Sequence, residues 1–311
     1  MSIAVVTGAA GFIGSSLSEA LLDRGYRVRG VDNLTTGRRT NLRSLKNRDE
    51  FEFHEVDIRD KSAMNDLVEG VEYVFHQAAV PSVPRSVDDP ITTTDANCTG
   101  TATVLDAARR ADVDTVVAAS SSSVYGSSTG LPKVESMTPD PESPYALSKY
   151  YTEKLAIQFS DLYDINTVAL RYFNVFGPGQ DPNGEYAAVI PKFVQLMLDG
   201  DRPTIYGDGE QSRDFTFVDN VIQANIQAAE GSATGVAVNV GCGGQVTINE
   251  LVGHINDILG TDIEPIHDSP RPGDVRHSHA DLKSAREEIE YEPKVDFQEG
   301  LERTVSYFKN A

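Results

Sequence analysis

Tyr145 and Lys149 stand four residues apart in a stretch with helical patterning, so their side chains share one face. Pro144 suits the first turn of such a helix, and Ser143 can cap it. An ammonium beside a phenol stabilises the phenolate and draws its pKa down from about 10 toward the working range of a general base. Ser121, 145 − 121 = 24 residues upstream, ends a short apolar run and can bind the oxygen that gains or loses the proton. A tyrosine–lysine pair at this spacing is common on exposed helices, so its meaning depends on its company. Tyr125 has no lysine four residues later and is expected to pack beneath the site.

That company begins at the N-terminus. Gly8, Gly11 and Gly14, with Phe12 and Ile13 between the last two, follow a strand-like run at Ile3–Thr7 and open a helix-like one. Glycines at a strand-to-helix turn let backbone N–H groups approach a pyrophosphate where the helix dipole favours negative charge. The spacing is GxxGxxG rather than GxGxxG; its placement gives it weight. Asp32, 32 − 14 = 18 residues beyond the last glycine, ends the second strand-like run and opens the turn Asn33, Leu34, Thr35, Thr36, Gly37. A carboxylate there accepts from both adenosine ribose hydroxyls and repels a 2′-phosphate, which favours NAD over NADP. Arg38 and Arg39 close by leave NADP open. Asp57 and Ile58 close the third strand, where a carboxylate can reach the adenine amino group. Gln77, Ala78 and Ala79 close the fourth, where small residues let a dinucleotide lie against backbone.

The elements that must hold these groups are legible as apolar runs at 3–7, 26–31, 51–55, 73–77, 115–119 and 167–172. Helical patterns at 14–24, 61–68, 95–111 and 145–160 separate several of them. Continuously apolar strands alternating with helices indicate a doubly wound α/β domain, a parallel sheet covered on both faces, with its ligand at the carboxyl ends of the strands. After Phe176 the texture changes: Gly177-Pro178-Gly179 and Asp181-Pro182-Asn183-Gly184 punctuate the chain. Helices are expected at 189–198, 218–230, 248–259, 281–288 and 297–309, with a strand at 204–206. The division expected is a dinucleotide domain over 1–175 and a smaller lobe over 176–311, part of 211–240 returning to the main sheet.

Composition bounds the function. Of 311 residues, 27 are basic and 47 acidic, a net charge of −20, which disfavours nucleic acid or an anionic membrane as partner. Only nine of the basic residues are lysine, a balance that suits a salt-rich cytoplasm, where a short Debye length quiets self-repulsion. No apolar run approaches the roughly 20 residues of a membrane helix, and Met1 leads straight into strand with no basic leader, so a cytoplasmic protein is expected. Cys98 and Cys242 stand alone, without metal-ligand or disulfide spacing, and His277 and His279 lack a clear third ligand; no metal is expected.

Together, TGAAGFIG, the serine before VYG, and YALSK resemble the extended short-chain dehydrogenase/reductase family, whose fold is the Rossmann sheet. LRYFNVFGPGQDPNG, GDGEQSRDFTFVDN and RPGDVRHSHAD are similar to the UDP-sugar 4-epimerases within it, over essentially the whole chain. The resemblance implies NAD, with Asn97 and Phe173 added to its contacts, and a homodimer built from the helices near 95–111 and 145–160. It implies a reversible 4-epimerisation in which Tyr145 takes the 4-hydroxyl proton. It further assigns the nucleotide sugar to Asn174, Ala188, Val189, Tyr206, Arg213, Arg271 and Asp274, with Ser82, Val83, Ser122 and Ser123 near the hexose. Nucleotide-sugar dehydratases carry an Asp-Glu pair where Ser122 and Ser123 stand, so dehydration is disfavoured. Ser278, seven residues beyond Arg271, occupies a gatekeeper position where a small side chain admits an N-acetyl group. UDP-GlcNAc/UDP-GalNAc interconversion is therefore expected, with UDP-glucose/UDP-galactose also possible. A UDP-glucuronate decarboxylase or 4-epimerase, and a non-catalytic NAD-binding sensor, are the alternatives.

Overall fold

A computed structural model describes residues 1–183, 187–270 and 275–310. Its first strand, β1 (Ile3–Thr7), is buried from Ala4 onward, and β-branched or aromatic apolar residues recur in each strand beside it. With β2 (Arg27–Asp32), β3 (Phe51–Glu55), β4 (Tyr73–His76), β5 (Thr115–Ser121), β6 (Asn166–Tyr172) and the strand Val236–Val240 it forms a seven-stranded sheet. The order across it is Val236–Val240, β6, β5, β4, β1, β2, β3, and every pairing is parallel. The order reverses at β1 and β4, so the crevice beyond their carboxyl ends is where ligands bind in such sheets.

Helices cover both faces. α1 (Phe12–Asp23) and the helix Val218–Glu230 lie on one side, and α2 (Lys61–Val68), α5 (Gly100–Arg110) and α6 (Pro144–Leu162) on the other. Between β4 and α5 the chain makes two short helices, α3 (Val83–Asp88) and α4 (Pro90–Thr94), then a wide π-turn at Asp95–Thr99. The helix expected from residue 95 thus starts at Pro90 and contains that turn; such bulges often mark functional positions. β3 keeps its expected bounds and stops two residues before Asp57, while β4 ends one residue earlier than expected, before Gln77, so both side chains stand on the loops above the sheet.

Past Phe176 the strands are short. Ser212–Arg213 pairs antiparallel with Val246–Thr247 and parallel with His277–Ser278, while Thr204–Tyr206 pairs with Ile266–Asp268. The segment 218–240 supplies one helix and the edge strand to the main sheet.

Candidate active site

The glycine turn folds as its composition requires. Gly8 has φ +72°, and a Cβ there would lie 2.8 Å from Ala78 N. A Cβ on Gly14 would fall 2.1 Å from Gly8 O, so the helix can close on the turn only with glycine at this position. Gly11 is the N-cap of α1 and gives no side-chain cap, which leaves first-turn N–H groups aimed outward. Above them lies a cavity of about 420 Å³, lined by the turn (Gly8, Gly11, Phe12, Ile13, Gly14), the β2 loop (Asp32, Asn33, Thr36), Asp57 and Ile58, Gln77, Ala78 and Ala79, and Tyr145 and Lys149.

Asp32 accepts hydrogen bonds from Ala10 N at 3.0 Å and Leu34 N at 2.7 Å; burial raises its carboxyl and these bonds pull it back. Gly37 lies behind it, where a Cβ would sit 2.7 Å from either carboxylate oxygen. Asp57 is gripped by Arg59, whose Nε donates to Oδ1 at 2.9 Å and whose guanidinium also reaches Asp95, and by Asn33 Nδ2 at 2.9 Å. The Arg59 guanidinium holds the Asp57 carboxyl well below the usual range. Arg38 pairs with Asp181 at 3.0 Å and donates to Gly179 O at 3.2 Å; Arg39 pairs with Glu55 and lies 5.8 Å from the centre of the Phe53 ring.

At the other end of the cavity, Ser143 caps α6 by accepting from Ala146 N at 3.1 Å with Pro144 in the first turn, and the helix carries Tyr145 and Lys149 inward. Burial pushes the Tyr145 phenol up, and a hydrogen bond with Ser121 pulls it back. Burial lowers Lys149 to about 8. Its Nζ donates to Ala119 O at 2.9 Å and lies 5.9 Å from the centre of the Tyr145 ring. The lysine is expected to draw the phenol down, but in the protein by itself desolvation is the larger effect and the net shift is upward.

Other expected residues stand elsewhere. Asn97 is buried in the π-turn, bonded to Val80 N and O and to Ser148 Oγ, so it braces the cavity wall and α6 instead of lining the cavity. Phe173 is fully buried, its ring 6.2 Å from that of Tyr125. Ser82 holds φ +94°, a strained value for serine, and caps α3 beside the cavity-lining Pro81; Val83 is exposed. Ser121 Oγ accepts from Ser123 N at 3.1 Å, Ser122 begins the short turn after β5, and Ser123 Oγ is buried with no hydrogen-bond partner among the described residues. Asn174, at φ +28°, donates to Asp214 O at 3.4 Å. Ala188 caps the helix that Val189 begins, Tyr206 ends its strand, and Arg213 stands directly across from Ser278. Arg271 and Asp274 lie outside the described residues. His277 Nδ1 is 2.8 Å from Ser212 Oγ, and His279 Nδ1 is 2.8 Å from Gln245 Nε2.

Sequence reasoning passed over Asn41, Arg59, Tyr172, Gln180 and Asp181, which also line the cavity. Tyr172 was accessible as the last residue of β6, and Gln180 and Asp181 follow the glycine–proline punctuation; nothing local marks Arg59 or Asn41. Gln180 Oε1 is buried and has no hydrogen-bond partner among the described residues. The uncapped helix end, the close-packed glycines, the ribose-type acid and this orphan acceptor together fit a dinucleotide.

Comparison with known proteins agrees. The profile of the NAD dependent epimerase/dehydratase family matches residues 4–241. A UDP-glucose 4-epimerase of Mycolicibacterium smegmatis is 42% identical over 98% of both chains. A UDP-N-acetylglucosamine 4-epimerase of Methanobrevibacter ruminantium, solved in complex with UDP-N-acetylmuramic acid, superposes with a TM-score of 0.95 at 41% identity, over 99% of this chain and 98% of that one. The Thermus thermophilus UDP-glucose 4-epimerase, solved with NAD, gives 0.90 at 36% identity over 99% of both. The chain therefore belongs to the NAD-dependent epimerase/dehydratase family.

Proposed function

We propose that the protein catalyses the reversible 4-epimerisation of UDP-hexoses, acting on UDP-GlcNAc/UDP-GalNAc and also on UDP-glucose/UDP-galactose. The observation that carries this reading is Tyr145 and Lys149, one helical turn apart on α6 and both lining the inner end of the cavity, with Lys149 Nζ bonded to Ala119 O at 2.9 Å near the end of β5 that carries Ser121. NAD, when bound, supplies the acceptor and then the donor of the hydride from C4. Tyr145 Oη takes the proton of the 4-hydroxyl, and Ser121 orients that oxygen by a second hydrogen bond. Lys149, buried beside the phenol, provides the positive charge that makes its ionised form accessible. The 4-keto sugar must then present its other face, so the protein has to grip the nucleotide and leave the hexose free to turn.

The grip falls to the lobe over 176–311, with the dinucleotide held by 1–175. Asn174, Ala188, Val189, Tyr206 and Arg213 would hold the uridine diphosphate, joined by Arg271 and Asp274. The preference for NAD over NADP rests on Asp32, and the two nearby arginines are already engaged by Asp181 and Glu55. Ser122 and the unpartnered Ser123 hydroxyl offer hydrogen bonds to a sugar but no acid–base pair for eliminating water. Ser278 leaves room for an acetamido group beside Arg213.

The decisive experiment offers the four UDP-hexoses and UDP-glucuronate, follows products by NMR, and compares kcat/KM. Interconversion of the N-acetylated pair is expected; conversion of UDP-glucuronate alone would overturn the substrate reading, and NAD binding without any turnover would favour a sensor. Ser278→Tyr should remove N-acetyl turnover and spare glucose.

A further inference from the structure

Glu153 lies one turn beyond Lys149 and two beyond Tyr145, on the same face of α6, and is 1% exposed. A carboxylate so deep needs a partner with fixed geometry. Arg171 of β6 provides it: Nε donates to Oε2 at 2.9 Å and the guanidinium grips the second oxygen as well. Ser120, next to Ser121, donates to the same Oε2 at 3.0 Å. The carboxylate therefore fastens the helix bearing the phenol to the strand end bearing the serine.

The chain of bonds continues away from the cavity. Arg171 Nη1 donates to Tyr125 Oη at 2.8 Å, with the guanidinium 4.9 Å from the centre of that ring. Tyr125 Oη in turn donates to Asn239 Oδ1 at 2.7 Å. Asn239 Nδ2 reaches Lys133 O at 2.9 Å and Asp281 O at 3.2 Å, and Lys133 N donates to His279 O at 2.8 Å. An unbroken, buried sequence of hydrogen bonds thus joins α6 to the segment around 278–281, where Ser278 stands across from Arg213.

We propose that the Glu153–Arg171 pair is a positioning device for the reaction: it fixes the spacing between the phenol-bearing helix and the wall of the second lobe. Neither side chain lines the cofactor cavity, so the pair acts through Tyr145 and Ser121 on one side and through Tyr125 and Asn239 on the other. The kinetic part of this inference rests on the epimerase reading; the mechanical part does not. A charged pair suits the task better than an apolar one because its bonds are directional, and an error of about 1 Å at a reacting centre can cost about a hundredfold in rate.

The test replaces both charges at once, Glu153→Met with Arg171→Met, since removing a buried pair together spares the fold the lone charge that either single change would leave. Expected are a kcat lower by about ten- to a hundredfold, KM for the UDP-sugar and Kd for NAD within about twofold, and faster amide exchange in both 145–149 and 278–281. Tyr125→Phe leaves the ion pair intact and should speed exchange at 278–281 alone. A folded double variant with full kcat, or one whose exchange rises at α6 and not at 278–281, overturns the proposal. Should the double variant not fold, Tyr125→Phe decides: unchanged exchange at 278–281 overturns it. Should the unaltered protein convert no UDP-sugar, the epimerase reading fails, and the exchange pattern alone decides the mechanical link.

Discussion

Tyr145 illustrates how little of a residue's chemistry belongs to the residue. Its phenol is pushed up by burial and drawn back by Ser121, so at neutral pH the protein alone keeps it protonated. Base strength must come from positive charge gathered when the cavity is filled, Lys149 contributing part of it. On the proposed mechanism, Tyr145→Phe removes the proton acceptor and little volume. The expected result is a kcat lower by about 10²- to 10⁴-fold, with NAD affinity measured by fluorescence titration unchanged, because the acid and glycines at the far end of the cavity are untouched. Turnover surviving at the original rate would mean that another group carries the proton. The place of Asp32 and Gly14 on the cavity wall is legible from spacing, because a strand-to-helix turn this tight leaves few side-chain alternatives. Asn97 and Phe173, in contrast, were placed on the cofactor by resemblance, and their side chains work behind the cavity wall. A buried amide that braces a loop and one that touches a ligand look identical in a sequence.

Among the elements, β1, β4 and α5 meet at His76. Its Nδ1 is 2.8 Å from Thr7 Oγ1 and its Nε2 3.0 Å from Thr101 Oγ1. Thr101 donates onward to Asn97 O, so the ring donates from Nε2 and accepts at Nδ1, the neutral form. Burial drives its pKa down to about 3, with the Lys149 charge adding to the effect. The sign follows: below about 6.5 the unfolded chain binds a proton that the folded protein refuses, so stability falls as pH drops from there toward 3, by up to about 1.4 kcal/mol per pH unit. Denaturant unfolding across that range should show a shallower acid slope in His76→Gln than in the parent; equal slopes would mean that the ring charges in place. Such a junction was invisible beforehand, although the strands around it were plain. Runs such as Ile3–Thr7 carry enough apolar residues to declare themselves. Pairs such as Ser212–Arg213 and His277–Ser278 are too short to have a period, and only the fold brings them side by side. α3 hid for the same reason, six residues with a proline in second place.

On the scale of the whole molecule, an apolar surface and a large net charge pull in opposite directions. Val87, Ile91, Leu147 and Tyr151, on α3, α4 and α6, are 62%, 81%, 57% and 39% exposed. The resemblance-based homodimer would use helices of this face, and Ile91→Arg should then shift sedimentation from dimer to monomer. Bringing two such chains together also brings together two charges of −20. Even if every one of the 27 basic residues paired, 20 carboxylates would remain without a partner in each copy. Exposed pairs such as Arg38–Asp181 and Arg303–Asp219 contribute only about 0–1 kcal/mol each, and salt weakens them. Screening the surplus repulsion acts on the whole surface at once, as the Debye length falls from about 10 Å at 0.1 M to about 3 Å at 1 M. The larger effect should win, so raising KCl from 0.1 to about 1 M is expected to raise the Tm and to tighten self-association together. A Tm that stays level or falls over that range would mean that local ion pairs outweigh the collective field, and the salt-adapted reading of the composition would be wrong.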